Sequence, residues 1–268
     1  MYDFNFHRPK NLASAVGFLQ ADDAKLIAGG QTLIPTLKQR LAAPKHLVDL
    51  SQIEALTGIE RRGRNIVIGA MTRHAEVAAS AVVRKAIPAL SDLADGIGDP
   101  AVRNRGTIGG SVANNDPSAD YPSACLALAA TIFTNRREIP ADEFFKGLFE
   151  TALEPDEIIT QVSFPIPLKA AYAKFPNPAS RYALVGVFVA KDGKGVRVAV
   201  TGAGENGVFR VPAMERALDR RFAPKSLENV KIDPSGLIAD LHGSAEYRAN
   251  LIGVMARRAV DAAAKTPK

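Results

Sequence analysis

Apolar residues recur along this chain at two spacings, and each change of spacing marks a new element. Over 11–20, Leu12, Ala15, Val16 and Leu19 fall on one helical face, and 25–28 is an apolar run with a strand's brevity. A helix is expected over 34–41 and a strand over 46–50. The runs 59–61 and 66–70, joined through Arg62-Gly63, predict a hairpin. Thr72 is expected to cap a helix carrying Ala75, Val77 and Ala78. A helix over 88–98 should stop at Gly98, with Asp99-Pro100 breaking the chain before the next segment. A buried helix with a proline in its first turn follows at 121–130, then strands at 131–135 and 157–164.

Pro165, Pro167, Pro176 and Pro178 fall together, so a boundary is expected between 165 and 178. The division is 1–168, in halves of about 1–56 and 57–168, and 169–268. Beyond the prolines, apolar strands at 182–190 and 196–201 flank Lys191-Asp192-Gly193-Lys194-Gly195, a hairpin turn. Helices are expected at 212–221 and 245–264, the second with Tyr247, Leu251, Val254, Met255 and Ala259 on one stripe. The fold class is therefore α+β, its tail a small antiparallel sheet backed by helices.

Two small-residue segments interrupt this pattern and carry the candidate chemistry. They are Ala28-Gly29-Gly30-Gln31-Thr32 and Thr107-Ile108-Gly109-Gly110-Ser111, the second followed by Asn114, Asn115 and Asp120. A Gly-Gly step permits positive φ and lacks the Cβ that would hold a pyrophosphate off the backbone, so successive N–H groups can converge on an anion. Thr32, Thr107 and Ser111 add hydroxyls at the rims. Asp120 repels phosphate but can accept from a sugar hydroxyl, which suits the ribose or ribityl part of a long, doubly phosphorylated ligand. Two independent tight turns and an N-cap acid ahead of the helix at 121 account for the same residues. Gly202-Ala203-Gly204-Glu205-Asn206-Gly207 also matches a dinucleotide fingerprint, yet Val208-Phe209-Arg210-Val211-Pro212 stands where a helix should begin. That segment is expected to be a loop.

Composition narrows the class. The 268 residues are 47% hydrophobic, enough for real cores, and the net charge of +6 is spread thinly. Basic clusters such as Arg61-Arg62-Gly63-Arg64, Arg220-Arg221 and Arg257-Arg258 are not interleaved with aromatics, so no nucleic-acid partner is expected. No secretory leader pattern and no membrane-spanning apolar run occurs, which predicts a soluble, cytoplasmic protein. Cys125 is the only cysteine and falls in the buried helix, so the chain itself can hold no four-thiolate iron–sulfur cluster. His7, His46, His74 and His242 are scattered and are expected at the surface or in caps, with no metal site.

The stretches Ala28-Gly29-Gly30-Gln31-Thr32-Leu33-Ile34-Pro35 and 99–120, with 178–187 and 242–248, closely resemble the flavoprotein (medium) subunit of molybdenum hydroxylases of the carbon monoxide dehydrogenase and xanthine dehydrogenase types. The resemblance covers nearly the whole chain. It implies an FAD-binding fold of the vanillyl-alcohol-oxidase (PCMH) type in two subdomains, plus a small C-terminal domain with an antiparallel sheet and helices. By that resemblance 28–32 and 107–111 would cradle the pyrophosphate, Leu33 and Asn114 would also belong to the cofactor site, Asp120 would bind FAD hydroxyls, and Tyr182 would approach the isoalloxazine. Leu184 stands where the xanthine dehydrogenase branch has a lysine near the flavin, which argues against that branch's pyridine-nucleotide chemistry. The turn Asn135-Arg136-Arg137-Glu138 is shorter than the family's usual one.

The same resemblance implies an oxidoreductase subunit with no catalytic side chain of its own. A large subunit would carry the molybdenum cofactor and a small iron–sulfur subunit two two-iron two-sulfur clusters, in a dimer of heterotrimers. This chain would then pass electrons to an external acceptor. A self-sufficient FAD-dependent oxidase or reductase is the alternative, and needs a proton-handling group near the flavin, for which only His74 and Tyr182 offer themselves. A non-catalytic nucleotide-binding protein is a third class.

Overall fold

The computed structural model describes residues 1–265. Its first layer is β1 (Asn5–His7), α1 (Leu12–Leu19), β2 (Ala24–Ile27), α2 (Leu33–Lys38) and β3 (His46–Asp49). Both β1 and β2 run parallel to β3, giving the order β1-β3-β2. Asn11 starts α1 by accepting the Ser14 N–H at 2.9 Å. The apolar face of α1 then closes on the sheet: Ala15, Val48, Leu50, Ile53 and Leu56 form a small core with Leu12 and Leu26 packed against it.

A second layer begins with the expected hairpin, β4 (Ile59–Arg62) and β5 (Asn65–Gly69). Five short helices follow: α3 (His74–Ala79), α4 (Ala81–Ala86), α5 (Pro88–Asp95), α6 (Pro100–Arg103) and α7 (Ile108–Asn114). Then come α8 (Tyr121–Ala127), β6 (Thr131–Thr134), β7 (Glu138–Pro140), α9 (Ala141–Phe144), the small pair β8 (Phe145–Gly147) and β9 (Glu150–Thr151), and β10 (Ile159–Pro165). The antiparallel sheet has the order β4-β5-β10-β6-β7. Two sequence expectations change here. Thr72 caps no helix; its buried hydroxyl donates to Gly58 O at 3.1 Å and accepts from Gly58 N, while α3 starts one residue later with Arg73 N–H held by Glu76 at 2.7 Å. The 88–98 helix ends at Asp95, and Asp99-Pro100 opens α6 instead of merely breaking the chain, with Asp99 accepting Val102 N–H at 2.9 Å.

The last sheet is β11 (Lys169–Pro176), β12 (Ala183–Lys191), β13 (Val196–Thr201) and β14 (Phe209–Arg210), antiparallel in that order, with α10 (Pro212–Arg220) and α11 (Ala245–Lys265) on one side. The proline-rich span is thus mostly strand: Pro165 ends β10 and Pro176 ends β11. Eight consecutive residues of β12 are buried, because each face meets a different core. Val185, Val187 and Val189 pack with Leu251, Met255 and Ala259 of α11, whereas Phe188 and Ala190 join Ile66, Leu90 and Tyr121 of the preceding layer. That alternation of period two fuses the C-terminal sheet to the helices carrying the second glycine segment. On α11, Tyr247 departs from the expected stripe and stays 42% exposed. The segment 202–207 is a loop, as its sequence context predicts.

Candidate functional site

The two glycine segments lie side by side and differ in how they use their backbone. In the first, the chain leaves β2, turns at Gly30 with φ +72°, and enters α2 after Thr32. Gln31 Nε2 donates to Gly29 O at 3.1 Å and so braces the turn. Among the described residues no acceptor pairs with the N–H groups of Gly30, Gln31, Thr32 or Leu33. Successive free N–H groups at a left-handed to right-handed step form a concavity suited to anionic oxygens.

The second segment is a helix entrance, not an open turn. Thr107 is the N-cap of α7, and its Oγ1 accepts Gly110 N–H at 3.2 Å. Ile108 N–H goes to Thr72 O at 3.1 Å, Gly109 N–H to Ala70 O at 2.8 Å, and Ser111 N–H to Thr107 O at 3.0 Å. The expectation that both segments turn spare N–H groups toward an anion is therefore corrected: the second has committed its donors to 70–72 and to its own cap. What it contributes is closeness. A Cβ on Gly109 would meet Ala70 O at 2.7 Å, and one on Gly110 would meet Thr107 Oγ1 at 2.9 Å and Ala28 Cβ at 3.6 Å. Gly29 lies against the preceding loop, where a Cβ would overlap Arg105 O and stand 2.7 Å from Gly106 Cα. Ser111 and Asn114 lie further along α7, both half-buried.

His74 is not at the surface, as its sequence setting suggests, but buried beneath this segment, 5% exposed. Its ring lies so near that a Cβ on Gly106 would meet Nε2 at 2.5 Å, and the His74 main-chain N–H donates to Gly106 O at 3.0 Å. Burial, reinforced by the Arg103 charge, pulls its pKa down to about 4, so it is neutral at pH 7. Cys125 is buried in α8, and burial pushes its thiol far up, which leaves an inert core residue.

Asp120 is also buried, and its partners come from β11. Tyr172 OH donates to Oδ1 at 2.5 Å and Lys174 Nζ to Oδ2 at 3.0 Å. Burial raises its pKa, opposed by Lys174 and the Tyr172 hydroxyl. The carboxylate expected to meet a sugar thus also ties the C-terminal sheet to the glycine-bearing layer. No sequence signal marks this, since Tyr172 and Lys174 share a strand face only once β11 is known. Asn115, left-handed at φ 42°, ends α7, and its Nδ2 donates to Gly147 O and Glu150 O at 2.8 and 2.9 Å. Past it, a polar cleft of about 270 Å³ opens between Asp116 and Ser118 on one side and Asn177, Tyr182, Leu184 and His242 on the other. Burial raises the Asp116 pKa, and burial with the nearby Asp116 and Asp120 charges raises that of Tyr182, which is 48% exposed.

Residues 2–167 match the FAD binding domain in molybdopterin dehydrogenase. The carbon monoxide dehydrogenase medium chain of Hydrogenophaga pseudoflava is 35% identical, over 97% of this chain and 96% of that one. This chain belongs to the FAD-binding subunits of molybdenum hydroxylases. The nicotine 6-hydroxylase medium subunit of Paenarthrobacter nicotinovorans is 36% identical over 96% of each chain. The fold agrees: a solved carbon monoxide dehydrogenase chain from H. pseudoflava, in a form lacking the Mo-pyranopterin moiety of the molybdenum cofactor, superposes with a TM-score of 0.87 at 35% identity, covering 97% of this chain and 96% of that one. FAD fits what this family member presents. Free N–H groups at 30–33 supply anion donors, and the close packing of Gly29 on Arg105 and of Gly110 near Ala28 holds the two segments side by side. The chain is an oxidoreductase subunit with an α+β FAD-binding fold.

Proposed function

We propose that this chain is the electron-transfer subunit of a molybdenum hydroxylase, receiving electrons from a small iron–sulfur subunit and delivering them to an external acceptor. The observation that supports this reading is a run of free N–H groups at 30–33 in a chain of the FAD-binding family whose one cysteine is buried and inert. Bound FAD would supply two-electron uptake and stepwise release; the protein supplies position and electrostatics. In this reading the free N–H groups of Gly30, Gln31, Thr32 and Leu33 bind the pyrophosphate, while Gly109 and Gly110, packed against Ala70 and Thr107, fix the entrance of α7 beside it. Ser111 and Asn114 line its path, Asp120 offers its remaining lone pairs to a hydroxyl, and Tyr182 forms one wall around the flavin ring. A large subunit with the molybdenum cofactor would complete the complex, as a dimer of heterotrimers in the cytoplasm. No helix among the described residues is long and apolar enough to cross a membrane.

A self-sufficient oxidase reading is weakened by His74, which is buried under Gly106 with a depressed pKa rather than facing the cleft. The test is anaerobic mixing of the FAD-loaded chain with hydroxylase substrates, with and without the two partner subunits. Bleaching of the flavin by substrate only in their presence supports the reading; bleaching by the chain alone overturns it.

A further inference from the structure

We propose that Arg248 is the positioning residue that locks the Tyr182 wall of the cleft, and thereby sets how that wall meets the flavin. The inference rests on placing the flavin ring at this cleft. Arg248 projects from the first turn of α11 and is 3% exposed. Its Nη1 donates to Leu184 O at 2.7 Å and to Gly202 O at 2.8 Å, and its Nη2 donates to both carboxylate oxygens of Asp240 at 2.8 Å. One guanidinium thus joins the start of β12, the end of β13 and the 240–243 turn. Lysine could not span these acceptors, because an ammonium lacks the planar fork.

The same group reaches Tyr182 from its other side. Asp240 Oδ1 also accepts the N–H groups of His242 and Gly243, at 2.9 and 3.2 Å. His242 Nδ1 lies 3.4 Å from Asn177 Nδ2, and Asn177 N–H donates to Tyr182 O at 2.8 Å. Asn177 Oδ1 meanwhile caps the N–H groups of Ala179 and Ser180. The result is a closed ring, Arg248 to Leu184 on one limb and Arg248 through Asp240, His242 and Asn177 to Tyr182 on the other. Tyr182 is thereby held at both ends while its ring stays exposed. The limb at Gly202 extends to the opposite wall, since Gly202 N–H donates to Pro117 O at 2.8 Å, next to Asp116 and Ser118. Arg248 therefore fixes the spacing of both walls from the lining of the cleft itself, with its charge paired to Asp240.

The test compares Arg248→Lys, Asp240→Asn and Tyr182→Ala in the FAD-loaded full chain by flavin absorption, reduction potential and FAD dissociation. Arg248→Lys is expected to shift the flavin band and potential in the same direction as Tyr182→Ala, and to speed FAD loss on the order of tenfold, with helix content unchanged. A shift in Tyr182→Ala with native band and potential in Arg248→Lys would overturn the proposal and leave Arg248 a structural residue. Native behaviour in Tyr182→Ala would overturn both the proposal and the placement of the flavin ring at this cleft. If Arg248→Lys does not fold, Asp240→Asn decides: it cuts the outer limb alone, and an unchanged potential there overturns the positioning role.

Discussion

Gly29 rests with its α-carbon directly against the carbonyl of Arg105, so the loop that leaves β2 and the loop that enters α7 touch backbone to backbone. Two segments far apart in sequence become one seam through this contact, and no residue with a Cβ can stand at 29 without moving the Arg105 carbonyl. Gly29→Ala should therefore fold less stably by about 1–3 kcal/mol, the usual cost of overpacking, and hold FAD at least about tenfold more weakly. Gly193→Ala is the matched control, since a Cβ there meets nothing within 4 Å. Flavin titration and thermal melting of the two variants check the pair; equal behaviour would remove Gly29 from the site.

Gly110→Val tests the other side of the seam. Its Cβ position lies 2.9 Å from Thr107 Oγ1, the atom that caps α7, and faces Ala28 at 3.6 Å. A branched side chain there should displace the cap and wedge the two segments apart. The expected product is folded, pale protein that lacks flavin, measured as the ratio of flavin absorbance to protein absorbance.

The Asp120–Lys174 pair separates two roles. Their side chains are 4% and 11% exposed, so removing one partner leaves a charge that water cannot reach. Asp120→Ala should cost about 3–5 kcal/mol in unfolding free energy even without FAD, and adding Lys174→Met should recover part of it. Asp120→Asn keeps the shape and should spare more of the stability while weakening FAD. Denaturant titrations of apo and loaded protein distinguish them: if Asp120→Ala destabilises only the loaded form, the carboxylate serves the ligand alone.

Much of this site is legible in the sequence because it depends on local chemistry. A Gly-Gly step after an apolar run can be recognised without any tertiary knowledge, and the free N–H groups lie at the first such step. The second step looks the same in sequence, yet its N–H groups are consumed by Ala70 and Thr72, residues that only the fold brings close. His74 misleads for the same reason: a lone histidine before a helix looks like a cap until Gly106 is laid across it. The Arg248 ring is the least legible part. Its acceptors include two main-chain carbonyls, at Leu184 and Gly202, which carry no side-chain signature.

The burial of His74 makes the seam acid-sensitive. Its folded pKa of about 4 lies below the ordinary 6.5, so between these values the unfolded chain binds a proton that the folded chain refuses. The stability this group contributes is complete above pH 6.5 and is lost as pH falls through 4, amounting to about 3 kcal/mol by linkage. Because the ring supports Gly106, FAD release should rise across the same window. His74→Leu, which cannot titrate, should flatten that rise relative to the parent, as read by fluorescence of released flavin; an unchanged profile would assign the acid effect to other groups.

Hydroxylation with water-derived oxygen requires a metal–oxo centre, and among the described residues no group of three or more histidine, cysteine, aspartate or glutamate side chains could hold a metal ion. Cys125, buried and held protonated, cannot join a cluster either. The FAD-loaded chain alone should therefore be reducible by dithionite yet inert to aldehydes, purines and N-heterocycles. Adding the iron–sulfur subunit without the molybdenum subunit should leave substrate reduction absent, and adding both should restore it. Under the proposed direction of electron flow, stopped-flow spectra without acceptor should then show iron–sulfur bleaching before flavin bleaching. Flavin bleaching that precedes the clusters would reverse the assigned direction and favour a flavoenzyme that acts on substrate itself.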